Sequence, residues 1–198
     1  MTSRIGRVPR ILVATLPLVL LVAGCATTRS SDVSGLDAIA ARDGFVPFPD
    51  VLRENQASST ECTDYDPASR TCTLITTYVL AGSSGSSAAE FQVDDDPFVG
   101  AIGTLPFTVN NGFPCANFAN ADLEVISDDA AEADVVADVG AEVMAMFASI
   151  GEVCAAYFRT DVPAQYRVET YTPAGDEVLG SPPELVTYTT DDVELRLE

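Results

Sequence analysis

The chain has no His, no Trp and, since all ten of its basic residues are Arg, no Lys. Without His there is no Ser-His-Asp or Cys-His nucleophile pair and no imidazole ligand for zinc. Without Lys there is no Schiff base, no Ser-Lys dyad and no P-loop lysine. The G-x-S-x-G, G-x-x-x-x-G-K and G-x-G-x-x-G patterns are missing too. Carboxylate, hydroxyl, thiol and guanidinium groups are what remain for chemistry. Positive charge is scarce: 30 acids against 10 arginines give a formal charge of −20 over 198 residues. Such a surface repels phosphate and anionic headgroups, so no nucleic-acid partner is expected and membrane attachment by basic residues is disfavoured. Apolar residues are not scarce, and 47% of the chain is enough to build the core of one domain.

Arg4, Arg7 and Arg10 precede an uncharged run from Ile11 to Ala23. The run falls short of the roughly 20 residues that span a bilayer and has the length of a signal-peptide apolar region. It ends in Val22-Ala23-Gly24-Cys25, which resembles the lipobox of bacterial lipoproteins. The resemblance covers residues 1–25 only. It implies a diacylglyceryl group on the Cys25 sulfur, cleavage after Gly24 and acylation of the new amine. Ala26 stands where an Asp would retain such a protein at the inner membrane, so the resemblance implies the outer membrane, facing the periplasm, in a Gram-negative cell. Residues 25–198 would then hold seven arginines against thirty acids, a formal charge of −23. The expected organisation is a signal peptide over 1–24, the lipidated Cys and a small, polar tether over 25–34, and one globular domain over 35–198. The acyl chains at Cys25 would supply the membrane affinity, since two or more suffice where one is marginal.

Within the domain, Ser34-x-x-Asp37 matches a capping pattern, and Leu36, Ile39 and Ala40 share one helical face, predicting a short opening helix. Phe45 to Pro49 carries two prolines and reads as extended. Thr71 to Leu80 alternates and is rich in β-branched residues, which predicts a strand. Ala81 to Ala89 (AGSSGSSAA) reads as a mobile loop. Short strands follow around Phe91, Ile102 and Phe107, with Asn110-Asn111-Gly112 as a turn and Leu123–Ser127 as a further strand. The longest helix is predicted from near Asp128 to about Phe158, on the seven-residue recurrence of Val136, Val143, Ile150 and Tyr157, with Cys154 on the same stripe. Gly140 and Gly151 weaken that stripe. Alternation around Tyr166–Tyr171, with Val178–Gly180, Leu185–Thr189 and Val193–Leu197 after it, predicts a closing antiparallel meander. The expected fold class is α+β: one long helix and a short N-terminal helix packed on a mainly antiparallel sheet.

With Cys25 assigned to lipid, Cys62, Cys72, Cys115 and Cys154 remain, an even number that argues for two disulfides in an exported domain. Cys62 with Cys72 is favoured because Asp64–Ser69 reads as a hairpin tip, and Cys115 with Cys154 then follows. A redox pair is disfavoured by the lack of a C-x-x-C and of any Lys or His to lower a thiol pKa.

Asp94-Asp95-Asp96 is the densest acid run, followed by Asp64-x-Asp66 and Asp191-Asp192, and it is the candidate metal site. Tyr157, Arg159, Tyr166 and Tyr171 form a candidate aromatic and Arg binding patch. No cofactor and no catalytic residue are expected. The function expected is a lipid-anchored, non-catalytic envelope protein that binds or supports another envelope component, either a protein or the cell wall. The alternatives are a hydrolase using carboxylate or Tyr/Arg chemistry on cell-wall glycan and a calcium-dependent module.

Overall fold

A computed structural model describes residues 35–56, 60–95, 98–127 and 133–196. The signal segment, Cys25, the tether, Asp96 and the helix start expected near Asp128 lie outside the described residues.

Eight strands form a ring in which each is antiparallel to both neighbours. In chain order they are β2 (Thr60–Thr63), β4 (Leu74–Ala81), β5 (Ser84–Asp95), β6 (Phe98–Asn110), β7 (Phe113–Asn117), β9 (Glu152–Arg159), β10 (Gln165–Tyr171) and β11 (Glu184–Thr189). Each pairs with the next, and β11 returns to β2, with Thr187 opposite Cys62. This is a closed up-and-down barrel, which removes the exposed edges an open sheet would have. The α+β expectation is therefore corrected: the strands close on themselves instead of forming a sheet covered by helices.

Four short strands lie off the ring. β1 (Phe45–Val46) adds to β9, β8 (Asp122–Ser127) to β6, and β3 (Thr71–Cys72) pairs in parallel with β12 (Glu194–Leu195). The closing meander thus ends at β11, because β12 leaves the barrel.

The predicted long helix is corrected as well. Helix α3 covers Ala133–Ile150 and stops at Gly151, whose φ of +75° is left-handed and suits glycine. The next residues are not helix but β9. The seven-residue stripe ran on through them because β9 is covered on both faces. Tyr157 points into the barrel, while Cys154, Ala156 and Phe158 face outward and are just as buried. A strand buried on both sides has no polar alternation to betray it.

Two hydrophobic clusters hold the molecule together. Inside the barrel, Tyr157, Tyr166, Val186 and Tyr188 pack around Phe48 and Val51 of helix α2 (Phe48–Glu54), which plugs one end. The extended reading of Phe45–Pro49 holds for β1 but misses α2; Pro49 sits in its first turn, where no amide donor is needed. Outside, helix α1 (Gly35–Ala40) lays Leu36 and Ile39 over Phe113, Cys115, Cys154 and Phe158.

Both disulfides are present, Cys62–Cys72 and Cys115–Cys154. The second lies within the barrel wall. Its cysteines are direct partners across β7 and β9, the pair of ring strands separated by the excursion through β8 and α3.

Candidate functional site

The barrel interior above the α2 plug is open space of about 520 Å³. Cavities that bind small ligands fall in the range of roughly 300–1,000 Å³, and an eight-stranded barrel is wide enough to hold one. The space exists because the inward positions carry small side chains. Ser87 and Ala89 on β5, Gly103 on β6, Ala116 on β7 and Ala155 on β9 all line it. Segment Ala81–Ala89, read as a mobile loop, is instead the end of β4, a two-residue turn at Gly82-Ser83 and the first half of β5. Its small residues do not loosen the backbone; they hollow the barrel. Below them Gly85 is required by packing, since a Cβ there would lie 2.5 Å from the Phe107 ring and 2.4 Å from the Val79 carbonyl oxygen.

The opposite end is covered by α3 and by a 3-10 turn at Phe118–Asn120. Phe147 of α3 packs against Phe118, at 5.3 Å between ring centroids, and Phe91 of β5, at 6.2 Å. Met146 and Phe147 both reach the cavity, and Met146 remains 53% exposed. This cover therefore lies across an apolar mouth that solvent still reaches.

None of the described lining residues is charged. Polar character comes from Thr76, Ser87, Thr104 and Thr170 and from two tyrosines, Tyr78 and Tyr157. The Tyr78 hydroxyl donates to Oε1 of Glu61 at 2.9 Å and the Tyr157 hydroxyl to Oε2 at 3.1 Å, and the two hydroxyl oxygens are 3.3 Å apart. Glu61 is 5% exposed and has no cationic partner in any hydrogen bond or ion pair among the described residues. Burial pushes its carboxyl above the usual range, and the hydroxyls of Tyr188, Tyr78 and Tyr157 only partly oppose that. The same burial, with Glu61 as the next cause, raises all three tyrosines well above their ordinary value. Tyr188 is directed at this carboxyl but misses hydrogen-bond geometry, leaving its hydroxyl buried without a partner.

The four residues expected to form an aromatic and Arg patch do not share a surface. Tyr157 and Tyr166 are inside the barrel, 6.2 Å apart by ring centroids. Arg159 is outside the plugged end, where it donates to both oxygens of Glu54 at 2.9 Å, and the Tyr166 hydroxyl donates to the same carboxylate. Arg159, through its hydrogen bonds, holds the Glu54 carboxyl below its usual value. Tyr171 is on the outer wall under α1 and donates to Glu169. That carboxylate also accepts from Arg167 and, at 2.6 and 3.0 Å, from Arg42. Both guanidinium groups lie over the Phe158 ring, at 4.3 and 4.9 Å from its centroid. This cluster ties α1 to the wall and faces away from the cavity.

Among the described residues no three His, Cys, Asp or Glu side chains stand where they could hold a metal ion. Of the candidate metal run, the backbones of Asp94 and Asp95 end β5. Asp66 caps its own turn by accepting from the Ala68 amide and the Ser69 hydroxyl, and Asp191 accepts from Tyr65.

Tyr157 was named from the sequence as a binding residue, while the other polar residues of the cavity and its floor were missed, Glu61 above all. One signal was available: in the strand Thr60-Glu61-Cys62-Thr63, alternation sets Glu61 opposite in direction to Cys62. Once Cys62 must turn outward to reach Cys72, Glu61 must point into the barrel. No protein-family model, curated protein or solved structure matches the chain.

Proposed function

We propose that this is a lipid-anchored envelope protein whose barrel holds a small, largely apolar ligand without converting it. The observation that supports this reading is the cavity of about 520 Å³, walled by uncharged side chains, plugged by α2 and reached past an exposed Met146. A pocket that is mostly apolar with a few convergent polar groups is the common form of a small-molecule site. The neighbouring carboxyl, Glu61, is engaged by tyrosine hydroxyls, and among the described residues no second acid stands on the lining to complete a glycosidase pair. The anchor rests on the lipobox resemblance ending at Cys25, and the two disulfides suit an oxidising compartment.

The test is binding of N-phenyl-1-naphthylamine, whose emission rises in an apolar site, to wild type and to Ala155→Phe, which fills the cavity from β9. Wild type is expected to give saturable enhancement and Ala155→Phe at least about tenfold weaker binding with its melting transition retained. Equal binding by both proteins places the probe elsewhere and overturns the reading. For the anchor, cells fed radioactive palmitate are expected to label wild type but not Cys25→Ala; label on both would refute attachment at Cys25.

A further inference from the structure

We infer that the ligand carries a hydrogen-bond-donating, cationic head, a lipophilic amine, that sits against Tyr78 and Tyr157 at the cavity floor. This deepens the proposed ligand-binding role and rests on it. With Glu61 ionised, the hydroxyl protons of both tyrosines are committed to its two oxygens. What the pair can still present to the cavity is therefore oxygen lone pairs, which accept and do not donate. The complementary head is a donor.

Charge selects further. An anionic head, such as a fatty-acid carboxylate, would meet no Arg on the lining and would face the Glu61 carboxyl behind the tyrosines. Burying an unpaired carboxylate is strongly unfavourable, so anionic amphiphiles are rejected. An ammonium meets the opposite situation: two tyrosine rings, two acceptor oxygens and one carboxyl that has no cation of its own. Tyr188, which lies off the cavity lining, adds a third hydroxyl acting on the same carboxyl. Glu61 sits among three tyrosines, with the Glu184 charge also acting on it, and burial holds its proton above the normal range. An arriving ammonium favours the ionised carboxylate and so lowers the pH at which Glu61 gives up its proton. The apolar body of the ligand then lies along Leu74, Leu105 and Val153 toward Phe147.

The experiment is calorimetric titration of the purified full chain with decylamine, decanol and decanoate, each below its micelle concentration, at low salt and again at about 0.5 M salt, where attraction to surface acids is screened. The expected order is decylamine first, decanol next and decanoate at least about tenfold weaker than decylamine, equivalent to ~1.4 kcal/mol. Glu61→Gln keeps the shape and removes the charge, its amide accepting from one tyrosine and donating to the other, and is expected to bring decylamine down to the level of decanol while leaving decanol within about twofold. Decanoate binding as tightly as decylamine, or decylamine unaffected by Glu61→Gln at high salt, overturns the head-group assignment while the ligand-binding barrel stands. Failure of all three to bind overturns both.

Discussion

Replacing Glu61 by Gln isolates what it costs the empty barrel to keep a carboxyl in its interior. In the unfolded chain this group titrates near ~4.3; in the folded protein burial moves it upward, against the hydroxyls of Tyr188, Tyr78 and Tyr157. Between those two values the folded state holds a proton that the unfolded state has lost. Stability contributed by this group is therefore full below the unfolded value and falls as pH rises, with a slope of about 1.4 kcal/mol per pH unit, until the folded value is passed. Gln carries no titrating proton, and its amide accepts from one tyrosine and donates to the other, so its stability lacks this slope. All other acids, including Glu184, titrate in both proteins and largely cancel in the difference. The assay is urea unfolding with disulfides intact, from about pH 4, below the unfolded Glu value, upward to about pH 8.5. The two proteins are expected to agree within about 1 kcal/mol at the acid end, the net worth of one rearranged hydrogen bond. Wild type then loses ground steadily as pH rises, so that Glu61→Gln is the more stable protein at neutral pH. A difference that is flat with pH, or that grows in favour of wild type, would show that the carboxyl is solvated or paired with a cation, and would refute this account of the barrel floor.

Loop-closure entropy ranks the disulfides: with sequence separations of 39 and 10 residues, Cys115–Cys154 is expected to contribute about 3.9 kcal/mol and Cys62–Cys72 about 2.7 kcal/mol. Unfolding of the paired Cys→Ser variants by urea checks the order, and a larger loss from the shorter loop would contradict it. Gly85→Ala places a Cβ against the Phe107 ring and the Val79 carbonyl; overpacking of this kind is expected to cost about 1–3 kcal/mol, measured as a lowered melting temperature. An unchanged transition would mean that β5 can shift away from β4 at no cost.

Much of the chain could be read from its pattern, and the misreadings share one physical cause. The strands that alternate between a buried and a wet face, such as β4 with Val79 outward at 69% exposure, were legible. So was the turn at Asn111-Gly112, where both residues have positive φ. The opening helix over Gly35–Ala40 and the Cys pairing were legible as well. Legibility ended where the barrel departs from the one-wet-face rule. β9 is buried from inside by the cavity wall and from outside by α1, so it carries an unbroken apolar run from Val153 to Phe158 that imitates a helix stripe.

β5 shows the reverse effect. Its inward residues Ser87 and Ala89 face the open cavity and Gly85 is crowded by the Phe107 ring, so all three are small, and a strand of small residues looks like a linker. Apolar burial and side-chain size, the two quantities from which secondary structure is usually inferred, are set at these positions by the tertiary enclosure. Closure itself left no local mark: the pairing of Thr60–Thr63 with Glu184–Thr189 joins the first and last ring strands across more than half of the chain. The candidate site was hidden for the same reason. An acid in a four-residue strand next to a cysteine looks like any surface acid among the thirty, and only the ring that encloses Glu61 turns it into the polar end of a binding cavity. The outward tyrosine, Tyr171, and the inward ones, Tyr157 and Tyr166, are equally indistinguishable along the chain. Sequence spacing brought them together as a patch, while the alternating direction of a pleated strand set them on opposite sides of the wall.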